Sequence, residues 1–109
     1  MMRQGRAGSA IIVSLPAEID LTNCEQVCDR LSAAFACGAA AVIADFTATC
    51  FCDCGSLRRL LTVQERAASR SGQLRLVIPP GSLVGRIADL TGLGRGLHIY
   101  STMHEATAR

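Results

Sequence analysis

The chain has 109 residues, enough for one domain and too few for a second independent core. Half of the residues are hydrophobic and 18% are charged, a balance that argues against a disordered tail and predicts a real hydrophobic core. The net charge of +2 comes from scattered arginines with no lysine among them, so no basic stripe for nucleic acid is encoded.

Apolar runs such as Ala39–Ala44 fall far short of the roughly 20 residues of a membrane span. Met1–Arg6 leads into no signal-type apolar stretch, and a cytoplasmic location is expected. The six cysteines are therefore read as reduced thiols, because disulfide scaffolds belong to small secreted chains with weak cores.

In chain order, residues 1–9 are polar, Gly-bearing and without period, and read as a flexible arm before a domain over 10–109. Ala10–Leu15 is a β-branched run ended by Pro16, the first predicted strand. Thr22-Asn23-Cys24-Glu25 has the pattern of a capping box, in which the Thr22 hydroxyl and Glu25 carboxylate would each satisfy a free backbone N–H. The helix that follows repeats Cys24, Val27, Cys28, Leu31, Ala34 and Phe35 at helical spacing and stops at Gly38.

Ala39–Phe46 is almost continuously apolar, as a strand buried on both faces should be, and 47–53 continues as a connection. Asp53 is placed to cap a second helix whose apolar face carries Leu57, Leu60, Leu61, Ala67 and Ala68, with Gly72 closing it. Gln73–Ile78 is the next strand, Pro79-Pro80-Gly81 a turn, and Ser82 the cap of a third helix that stops at Thr91-Gly92. Leu97–Tyr100 reads as a last strand and Ser101 or Thr102 as the cap of a short terminal helix. Strands alternating with helices predict a single α/β layer fold with about four strands, some of them paired in parallel through right-handed crossovers.

Chemistry-bearing patterns are sparse. The only histidines are His98, expected to be half-buried at a strand start, and His104, expected on a solvated helix position; neither backs a nucleophile. Gly92–Gly96 runs from helix to strand, the reverse of a phosphate loop, and without lysine there is no P-loop. Cys50, Cys52 and Cys54 would share a face of an extended segment, but their spacing is not that of a zinc knuckle, and no metal or cofactor is assigned. Cys24 and Cys28 are core residues by their helical phase, and Cys54 at a helix N-terminus is expected to be buried, with a redox-sensitive thiol as the alternative. Asp53 as a receiver-type phospho-acceptor fails for want of the late lysine such sites use.

Four segments in order, Leu15–Asp20, Val42–Phe46, Phe51–Arg58 and Asp89–Leu93 before Ile99-Tyr100, resemble the STAS domain of anti-sigma-factor antagonists, over nearly the whole chain from Ala10. The resemblance implies a single α/β domain, a mixed sheet of about four to five strands with about four helices packed on it, and a partner-binding surface at the turn before the second helix. In this chain that surface would comprise Asp20, Asp53, Cys54, Gly55, Ser56, Leu57, Arg58 and Arg59. In the family the turn usually reads Asp-Ser-Ser/Thr-Gly-Leu, and its second hydroxyl residue is phosphorylated by an anti-sigma factor that is also a serine kinase. Here the hydroxyl slot holds Gly55 and the glycine slot holds Ser56, which leaves Ser56 as the phosphorylation candidate, one residue displaced. A phosphate there would add close to two negative charges to a contact surface and so work as a switch.

The resemblance makes the chain a non-enzymatic binding module that captures an anti-sigma factor. The alternatives are a regulatory subunit docking on the ATPase of a lipid-transport ABC system, or a degenerate, non-phosphorylated STAS protein. Arg58 and Arg59 oppose the dipole of the helix they begin, which suits contact with an acidic partner.

Overall fold

Period-two alternation along the strands divides the apolar residues between two faces of one sheet. In the computed structural model, which describes residues 2–108, this sheet has five strands. They are β1 (Arg3–Ala7), β2 (Ala10–Ser14), β4 (Ala41–Asp45), β6 (Gln73–Val77) and β7 (Ile99–Tyr100), side by side in that order. β1 pairs antiparallel with β2, and the remaining pairs are parallel. A separate two-stranded parallel ribbon joins β3 (Glu18–Ile19) to β5 (Phe51–Cys52).

Ile11, Val13, Val42, Ala44, Leu74 and Leu76 point to the face covered by α1 (Cys24–Ala36), α2 (Cys54–Ala68) and α3 (Leu83–Thr91). Their neighbours Ala10, Ala41, Ile43 and Val77 form a smaller cluster on the opposite face, closed by Ala106 of α4 (Met103–Thr107). Arg75 pins α4 there by donating from Nη1 to the Ala106 carbonyl at 2.8 Å. The central strand β4 has four of its five residues buried, as its continuous apolar run predicts.

Three local expectations are corrected. Residues 3–7, read as part of a flexible arm, form β1, joined to β2 by the two-residue loop Gly8-Ser9. Gly8 supplies a φ of +63° at the first loop position, which two-residue hairpins require. The Thr22/Glu25 capping box does not form: Asn23 holds the N-cap position with no side-chain cap, and the Thr22 hydroxyl donates to Asp20 instead. The Asn23 side chain ties the helix start to β3, accepting from the Asp20 N–H at 3.0 Å and donating to the Glu18 carbonyl at 2.7 Å. Finally, the left-handed residue after α2 is Ser71 with φ 62°, whereas Gly72 serves close packing. A Cβ there would lie 3.1 Å from the Phe35 ring and 3.2 Å from the Ala67 carbonyl oxygen.

The other caps follow the sequence. Ser82 accepts from the Gly85 N–H at 3.2 Å, Gly92 ends α3 in the left-handed region, and Thr102 caps α4 by accepting from the Glu105 N–H at 3.1 Å. The Gly-rich segment Leu93–Gly96 is a 3-10 turn, and His98 is exposed, not half-buried.

Candidate functional site

A turn can present a fixed surface only if its backbone is held, and the segment before α2 is held at several points. Cys50 N–H donates to the Ala17 carbonyl at 2.7 Å and Asp53 N–H to the Ile19 carbonyl at 3.1 Å. Buried Thr49 adds a hydroxyl bond to the Pro16 carbonyl at 2.8 Å. The ribbon of β3 and β5 therefore carries Asp20 and Asp53 on the adjacent ends of paired strands.

Asp53 caps α2 as its sequence position implies, its Oδ1 accepting from the Ser56 N–H at 2.8 Å. Asp20 makes an Asx-type turn in which Oδ1 accepts from both the hydroxyl and the N–H of Thr22, and these bonds hold its carboxyl below the usual 3.8.

Within the anticipated surface the residues separate into two sets. Cys54, Gly55, Arg58 and Arg59 are exposed and Asp53 is half-buried, whereas Leu57 is fully buried and Ser56 is only 2% exposed. Ser56 Oγ is enclosed with no hydrogen-bond partner. Gly55 is the reverse case: it is exposed, and a Cβ added there would meet only Asp53 Oδ1, at 3.9 Å. Glycine is thus not demanded by space at the slot where the resemblance places a phosphorylated hydroxyl.

The three cysteines of the segment do not share a face. Cys52 is buried, its thiol pushed up to about 12 by burial and then by the charge of Asp53, while Cys50 and Cys54 are exposed. Cys28, buried beside Cys24 on α1, is pushed up to about 11, first by burial and then by Cys24.

Exposed apolar residues around the turn escaped the sequence reading. Leu21 is 88% exposed, Leu83 50% and Phe51 37%. Phe51 is on β5, Leu83 opens α3 and Leu21 lies in the turn after β3; β5 pairs with β3 and α3 packs against β5. The available signal was phase: Leu83 stands outside the buried Val84/Ala88 stripe of α3, and Leu21 interrupts a polar turn.

The STAS domain family model matches residues 3–106. No curated protein matches the sequence. An anti-sigma factor antagonist from Mycobacterium paratuberculosis is similar in fold at a TM-score of 0.84 and 23% identity, over 97% of this chain and 89% of that chain. A STAS-domain anti-sigma-factor antagonist protein from Planctomyces limnophilus gives 0.69 and 21%, over 97% and 94%. The phosphorylated form of the Bacillus cell fate determinant SpoIIAA gives 0.64 and 22%, over 97% and 96%. The chain belongs to the STAS domain family, and its structural neighbours include anti-sigma-factor antagonists.

Proposed function

We propose that this protein is a non-enzymatic binding module of the anti-sigma-factor-antagonist type, and that it captures its anti-sigma factor without a phosphorylation switch. The carrying observation is the pairing of an exposed Gly55 with a Ser56 that is only 2% exposed. A kinase needs the hydroxyl oxygen to reach the γ-phosphoryl group in line, and an oxygen enclosed under the first turn of α2 offers no such approach. SpoIIAA has a phosphorylated form; here the exposed slot lacks the oxygen that would accept the group.

The contact surface in this reading is Cys54, Gly55, Arg58 and Arg59 with the edge of Asp53 and Asp20, flanked by Leu21, Phe51 and Leu83. Apolar residues on a pinned backbone supply desolvation without ordering cost, and the arginines supply complementarity to an acidic partner. Ser56 and Leu57 support the surface from beneath.

The test is incubation with the captured anti-sigma kinase and ATP, followed by intact-mass measurement and a binding titration. Unchanged mass and ATP-independent affinity are expected, whereas one added phosphate on Ser56 would refute the unswitched reading. Docking on a transporter ATPase is also compatible with Gly55, and the identity of the captured protein separates the two.

A further inference from the structure

The C-terminal halves of α1 and α2 enclose a trough that the turn does not use. From Gly55 to Arg66 the helix axis advances roughly 16 Å at ~1.5 Å per residue, so the trough is remote from the proposed contact surface. Two adjoining cavities of about 360 and 290 Å³ share Phe35, Ala67 and Arg70. Small-molecule sites occupy about 300–1,000 Å³, and the two cavities together reach that range.

Its lining mixes apolar Phe35, Val63 and Ala67, the last two reaching it only by their edges, with Ser32, Ser69, Arg66 and Arg70, and among the described residues no carboxylate lines either cavity. Arg66 and Arg70 line these cavities beside Phe35, Val63 and Ala67. Both arginines lie near the C-terminus of α2, where a cation offsets the helix dipole. That accounts for their sign but not for an apolar trough at their feet.

We propose that this trough binds a single-chain anionic amphiphile, a carboxylate or phosphate carried on an alkyl tail, taken up as a free molecule. The tail lies along Phe35, Val63 and Ala67, and the head group is held by Arg66 and Arg70, whose planar forks suit either anion. The alkyl stems of the arginines cover the tail while their charged ends stay at the water boundary.

Decanoate below its micelle-forming concentration, titrated into the full chain and followed by amide chemical shifts, tests this. Saturable shifts at Ser32, Phe35, Ala67 and Arg70 are expected, with decanol at least tenfold weaker. The R66Q/R70Q double variant is expected to lose at least tenfold in affinity while still unfolding cooperatively in urea, and R66K/R70K to recover only part of that loss, since an ammonium keeps the charge but not the fork. Absence of saturable shifts, or decanol binding as well as decanoate, overturns the proposal. So does sedimentation with phosphatidylglycerol vesicles in the absence of decanoate binding, which would make the surface a reader of bilayers.

Discussion

Position 55 lies in the first turn of α2, exposed and with open space beside it, so a serine there adds a hydroxyl without displacing anything. Gly55→Ser is expected to fold, with helix propensity favouring it by up to about 0.5 kcal/mol. It should also gain one phosphate from the captured anti-sigma kinase and ATP where the parent gains none, as read by intact mass. Failure of the serine variant to accept phosphate would show that a hydroxyl at position 55 is not enough to make this turn a phosphorylation site. Ser56→Ala removes an oxygen that has no partner, and the urea midpoint should give a stability within about 0.5 kcal/mol of the parent, or higher. A loss above about 1.5 kcal/mol would mean that the hydroxyl does make a bond. The buried thiols carry a pH signature. Cys28 and Cys52 are raised from 9.0 to about 11 and about 12, so the unfolded chain releases their protons first. Their stabilisation is complete below pH 9 and is lost as pH rises through the folded values. Urea midpoints measured in reductant between pH 8 and pH 11 should fall, and less steeply for Cys52→Ala. At neutral pH, alkylation of the native chain should label Cys37, Cys50 and Cys54 and spare Cys24, Cys28 and Cys52.

Among the elements, those with strong local chemistry were legible and those made by pairing were not. Asp53, Ser82 and Thr102 cap the helices that the sequence assigned to them, because each oxygen finds an N–H three residues on. Asp53→Ala should cost about 1 kcal/mol of stability in urea and loosen the turn it anchors. β1 was unreadable as a strand because four of its five residues are exposed, so no apolar alternation marks it. Its signal was the Gly8-Ser9 loop beside a confident strand. The short strands β3 and β5 hold two residues each, too few for any period, and exist through mutual pairing. At Thr22 a capping pattern lost to tertiary context, since Asp20 captures both its hydroxyl and its N–H. Gly72 was read as a helix stop, yet the backbone reverses at Ser71 and glycine is kept for contact with Phe35. Gly72→Ala should therefore lower stability by about 1–3 kcal/mol in urea unfolding, the usual cost of overpacking. A neutral result would show that Phe35 swings aside freely.

At the scale of the whole molecule, the strand–helix alternation and the order of four short segments were sufficient to anticipate one α/β domain of the STAS type. The proposed contact residues were named by sequence position, which does not tell which of their side chains are exposed. Sequence position groups Asp53 to Arg59 as neighbours, while the helix turns Ser56 and Leu57 inward and leaves Cys54, Gly55, Arg58 and Arg59 outside. Leu21 and Leu83 join that surface only through the packing of β3, β5 and α3, which no linear pattern encodes. Capture of an anti-sigma factor, independent of phosphorylation, is the proposed activity of this surface. A photo-crosslinker placed on Cys54, with Cys37 and Cys50 replaced by serine, should trap one protein from extracts of the native host, identified by mass spectrometry as an anti-sigma factor, in equal yield with and without ATP. Capture of a transporter ATPase, or loss of the crosslink on adding ATP, would contradict it.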